Sequence, residues 1–76
     1  MSERLPRITA AQLLRALNRA GWRRTGQVGS HQTLRNKDNP GKVVVPVHAG
    51  EILALKTLQR ILDQANLTAT ELRKLL

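Results

Sequence analysis

The 76-residue sequence contains no cysteine, no phenylalanine and no tyrosine, and only one tryptophan, Trp22. Without cysteine there is no disulfide, no thiolate nucleophile and no cysteine-ligated zinc. With one aromatic residue, a surface that stacks successive bases of a single strand is disfavoured. Acidic residues are scarce as well. Glu3, Asp38, Glu51, Asp63 and Glu71 are spread over the chain without a paired-acid spacing. Together with two distant histidines, His31 and His48, they make a poor ligand set. The expectation is therefore a protein with no metal and no cofactor. Long apolar runs are missing too, and none approaches the roughly 18 residues of a membrane span. Met1-Ser2-Glu3-Arg4 leads into no signal-peptide core. The sequence reads as a cytoplasmic protein that does not engage membranes.

What is plentiful is positive charge. Thirteen Lys and Arg give a net charge of +8 and a pI near 11.7. Such a chain calls for a polyanionic partner: RNA, DNA or an acidic protein. The basic residues are scattered through expected strands and turns and do not line one amphipathic helix, which argues against a membrane surface. The length predicts one small domain spanning 1–76. A chain of this size buries only about 60% of the surface it exposes when unfolded.

The pattern of apolar residues supplies the order of elements. After a basic lead ending at Ile8, Thr9 with Gln12 has capping-box spacing. Leu13, Leu14, Leu17 and Ala20 recur at helical intervals, and Gly21 suits a left-handed closing position. A helix over 10–20 follows. Trp22 to Gln27 reads as a first strand with Trp22 facing the core. Arg24 falls on the same face, to be relieved by a bulge or by reaching past the sheet edge. Gly26 to Ser30 is rich in turn formers. His31 to Arg35 reads as a second strand, with His31, Thr33 and Arg35 on one face and Leu34 on the other. Asn36 to Gly41 is a turn. Lys42 to Val47 is a third strand, which Pro46 confines to an edge or a strand end. Leu55, Leu58, Ile61, Leu62 and Ala65 mark a second helix over 55–65. Asn66 stands at its close, and Thr68 with Glu71 opens a short terminal helix. The expected fold is α+β, α-β-β-β-α with a short extra C-terminal helix. Its three-stranded antiparallel sheet carries the helices on one face.

The chemistry open to these residues is narrow. Ser30 adjoins His31, but strand neighbours point to opposite faces, so that ring is not placed to activate it. RNA carries its own nucleophile, the 2′-OH. Its cleavage needs a base, an acid for the leaving oxygen, and cations for the charged phosphorane. Imidazole titrates near neutral pH and can serve as either proton carrier. His31 is the candidate catalytic residue. Arg23, Arg24, Arg35, Lys37 and Lys42 are candidate cations, and His48 a candidate assistant. Gly29 and Ser30 would shape the turn that presents the ring. The competing reading is a non-catalytic double-stranded-RNA-binding or protein-interaction module, in which the charges are a solvated face.

Four segments in order are familiar: Ala20-Gly21-Trp22 closing the first helix, Gly29-Ser30-His31, Val43-Val44-Val45-Pro46-Val47-His48, and the run from Thr57 to Thr68. Over about residues 8–68 the chain resembles the HicA toxins, small mRNA interferases of toxin–antitoxin pairs. The resemblance implies a fold similar to the double-stranded-RNA-binding domain. It also implies ribonuclease activity dependent on the histidine at position 31, and a HicB-type antitoxin that occludes the active site. The chain departs from the family pattern at three places. Gln32 stands where a second histidine is common, Lys56 where a glycine precedes Thr-Leu, and Asn66 where a glycine closes the helix.

Overall fold

The computed structural model describes residues 4–76; residues 1–3 of the basic lead lie outside the described residues. The chain forms α1 (Ala10–Arg19), β1 (Arg23–Val28), β2 (His31–Asn36), β3 (Asn39–Pro46), α2 (Leu55–Ala65) and α3 (Ala69–Leu75). The strands make one antiparallel sheet in the order β1-β2-β3. This is the α+β order expected, the double-stranded-RNA-binding arrangement with α3 added.

Local chemistry fixes the helix ends. At α1 the Thr9 side chain accepts from the Gln12 backbone N–H, while the Gln12 side chain accepts from Thr9 N–H at 2.9 Å. That reciprocal box satisfies two donors that the first helical turn leaves free. At its other end Gly21 takes φ +99, Gly21 N–H reaches Asn18 O at 3.1 Å, and Trp22 N–H reaches Leu17 O at 3.0 Å. These are the two bonds of a Schellman close, and they bring Trp22 down beside Leu17. The same geometry ends α2, where Asn66 is left-handed and Leu67 N–H bonds Leu62 O at 2.9 Å. Thr68 and Glu71 form a second complete capping box at α3.

The core lies between the helices and one face of the sheet. Leu13, Ala16 and Leu17 of α1, Leu58, Ile61 and Leu62 of α2, and Leu72 of α3 are buried against Trp22, Leu34, Val43 and Val45. Trp22 is only 2% exposed, so it is a core residue and no platform for a base. The segment before α2 is pinned to the lead by Leu53 N–H bonding Ile8 O at 2.8 Å.

Several boundaries differ from the expected ones: α1 ends at Arg19, β1 runs Arg23–Val28 and so takes in Gly26 to Val28, β2 reaches Asn36, and β3 runs Asn39–Pro46. Ala20 is the cap of α1 and no longer helical, and β1 begins one residue late because Trp22 is spent in the Schellman close. β3 begins at Asn39, three residues earlier than Lys42, because Lys37 and Asp38 alone make the reversal. Asn36 tightens that turn by accepting from Asp38 N–H at 2.9 Å. Its amide also donates to Ala20 O at 3.1 Å, tying the β2–β3 turn to the end of α1.

The two sheet edges are unlike. On β3, Val44 N–H points outward to the Gln64 side chain of α2 at 3.4 Å, and Pro46 has no N–H to leave unpaired. On β1 every residue is exposed. A bulge between Arg24 and Gly26 breaks its register.

Candidate functional site

Gly29 and Ser30 join β1 to β2 as a two-residue turn closed by the Val28–His31 pair. Gly29 has φ +56 and Ser30 has no positive φ. Those signs are the ones a type II′ hairpin turn requires, with glycine first. A Cβ at Gly29 would meet nothing within 4 Å, so the demand there is conformational. The turn delivers His31 as the first residue of β2, exposed to solvent.

Register settles which way His31 points. Leu34 lies opposite Val43 and Gln32 opposite Val45, so these four share the helix-covered face. His31 alternates with Gln32 and stands on the open face, opposite Pro46 on one side and Val28 on the other. The ladder continues past Pro46, because Val47 N–H bonds Ser30 O at 2.6 Å. Three rows cross the open face. Val28, His31 and Pro46 form the first; Gly26, Thr33 and Val44 the second; Arg23, Arg35 and Lys42 the third.

The remaining candidate residues divide between this face and other places. His48 stands in the connector, two residues beyond Pro46. It lines a shallow cleft of about 350 Å³ together with Pro46, Glu51, Ala54 and Thr57. Arg35 and Lys42 share the open face with His31 but occupy its far end. Arg23 belongs to that row by register, yet its guanidinium turns back to α1. There it donates to Asn18 O at 2.8 Å, to the Asn18 side chain and to Trp22 O. Arg24 pairs with Leu34 and so lies on the helix side, where it is exposed along a cleft shared with Leu14 and Asn18 of α1 and with Gln32. Its guanidinium is 3.4 Å from Gln27 Oε1. The bulge follows Arg24 and does not turn it outward. Lys37 sits in the β2–β3 turn, beside Arg35 in a cleft that Asp38 also lines.

Val28, at 82% exposure, is the cross-strand neighbour of His31 and was not singled out from the sequence. A two-residue Gly-Ser turn already implies that Val28 opposes His31, so that signal was present. Thr33 lies between His31 and Arg35 on the face expected for it. Gln32 is partly buried on the covered face and does not stand beside His31. A histidine at position 32 would stand on the opposite face from the ring at 31.

Among the described residues no three His, Asp or Glu side chains converge as a metal-binding group. No helix among them is long and apolar enough to cross a membrane.

No curated protein matches the chain. A family model does match, described as the HicA toxin of bacterial toxin–antitoxin, and it covers residues 10–67. That span takes in α1, the whole sheet, α2 and the Asn66 close. The chain belongs to the HicA family, the toxins of toxin–antitoxin pairs, whose natural counterpart is an antitoxin.

Proposed function

We propose that this toxin is a metal-independent endoribonuclease acting on mRNA, with His31 as a general acid or base. The observation that carries this reading is the presentation of His31. A turn that needs glycine holds the ring at the tip of a hairpin, exposed, on the sheet face that no helix covers.

The reaction needs no group beyond the chain and the RNA. The 2′-OH loses its proton to a base, and its oxygen bonds the adjacent phosphorus. The bond to the 5′ oxygen breaks, and an acid gives that oxygen a proton. The products are a 2′,3′-cyclic phosphate and a free 5′-OH. His31 carries one of the two proton transfers, which is work suited to imidazole. His48, at the same end of β3, is the candidate for the other. The antitoxin is read as a HicB-type protein that covers the open face and with it His31. Messenger RNA as substrate places the reaction in the cytoplasm.

Long single-stranded mRNA incubated with the protein in EDTA tests the reading, beside the His31→Ala variant. The wild type is expected to shorten the RNA, and the variant to lose at least ~100-fold in rate while keeping its fold. Undiminished cleavage by His31→Ala would overturn the assignment. Salt-sensitive RNA binding without turnover by either protein would establish the binding-module reading instead.

A further inference from the structure

The cationic row at the far end of the open face is unfavourable in the free protein. Arg35 stands directly opposite Arg23 on one side and Lys42 on the other. Like charges opposed on neighbouring strands destabilise a sheet. Arg23 relieves its share by turning its guanidinium to the end of α1. Among the described residues Arg35 reaches only the Pro40 carbonyl, at 3.3 Å, and both Arg35 and Lys42 are exposed. Lys37 adds a further positive charge beside Arg35, against the single carboxylate of Asp38 in that cleft. An anion laid across the row would convert this repulsion into attraction.

We propose that Arg35 and Lys42 bind the phosphodiester backbone of the RNA away from the bond being cleaved, so that the toxin favours long RNAs over very short ones. This rests on the ribonuclease reading. His31 and Arg35 are four residues apart on one strand face, which is about 13 Å of extended backbone. A phosphate beside His31 is out of range of a hydrogen bond from that row. Its cations therefore serve a flanking phosphate of the same strand and not the phosphorane. The only aromatic side chain, Trp22, is buried on the other side of the sheet. The contact thus reads charge and not base identity, and its contribution is independent of sequence.

The test compares kcat/KM on a long mRNA with that on a dinucleoside monophosphate, whose only phosphate is at the scissile bond. The proteins are the wild type and the double variant Arg35→Gln with Lys42→Gln. The preference of the wild type for the long substrate is expected to fall on the order of tenfold in the double variant, through KM. The slope of log KM against log salt should flatten by about 1.4, from ~0.7 for each lost phosphate contact. Arg73→Ala, which removes a charge from α3, should leave both quantities as they are. The same substitutions in the His31→Ala background are measured by fluorescence anisotropy with labelled RNA, so that turnover is not required. There the affinity for long RNA should drop by a similar factor. A melting temperature no lower than that of the parent shows that the fold is kept. Unchanged length preference and RNA affinity in the double variant would overturn the inference while leaving His31 in place. Cleavage that survives His31→Ala overturns the role given to His31 instead, and absence of cleavage by the wild type overturns the ribonuclease reading.

Discussion

Gly21 and Asn66 occupy equivalent left-handed positions, but their surroundings differ. At Gly21 a Cβ would lie 3.1 Å from the Asn36 amide that bonds Ala20 O, so both conformation and space demand glycine. Gly21→Ala should lower stability by about 1–2 kcal/mol, from the left-handed penalty for a residue with a Cβ. At Asn66 only conformation is at stake. Asn66→Ala should cost about 1 kcal/mol, and Asn66→Gly should be neutral or slightly stabilising. Denaturant melts of the three variants check the order. An Asn66→Ala protein as stable as Asn66→Gly would contradict it. The use of both positions was readable in the sequence, because each follows an apolar helical repeat. The tie from Asn36 to the end of α1 was not readable, since no local pattern announces a partner 16 residues away.

At the level of elements, α3 offers a titratable cap. The Glu71 carboxylate accepts the Thr68 backbone N–H at 2.9 Å. That bond, reinforced by the Thr68 side chain and by the charge of Lys74, holds its pKa below the ordinary 4.5. A carboxyl whose pKa is lower folded than unfolded contributes stability fully above the unfolded value. The contribution fades as pH falls through the folded one. The α3 cap should therefore loosen below about pH 4.5, where the carboxylate takes up its proton. In Glu71→Gln this component of the pH dependence should vanish. Thermal melts of both proteins between neutral and acidic pH read the difference, and parallel curves would refute it. Helices and strands were legible here because capping boxes and apolar periods are local signals. The stretch from Asn36 to Gly41 was less so. Its Asn, Asp, Pro and Gly are all turn formers, yet Asn36 closes the reversal after two residues and sends Asn39-Pro40-Gly41 into β3.

For the whole molecule, the net charge of +8 points to a polyanionic partner without singling out a face. The sheet register divides the candidate residues between faces. It separates Arg24 and Gln32, on the helix side, from His31, Arg35 and Lys42 on the open face. Strand alternation predicted the placement of His31 correctly, because Leu34 had to be in the core. It could not show that Arg23 is committed to α1, since a long side chain is free to leave the face its Cα occupies. The same alternation puts Gln32 on the covered face, away from the His31 ring.

The exposed β1 strand sets how firmly the hairpin tip is held. It buries no side chain and, Arg23 bonding to the end of α1 apart, is held by its ladder with β2, whereas β3 is packed under α2 and bonded by Gln64 on its outer side. Local opening follows buried apolar contact. In hydrogen–deuterium exchange the amides of β1 should therefore exchange well before those of β3, with β2 in between. Equal protection of β1 and β3 would show that the outer strand is anchored in some other way. If the order holds, His31 keeps its orientation chiefly from its Pro46 side. The strand ahead of Gly29 is then free to peel aside and return, a hinged flap on one flank of the ring.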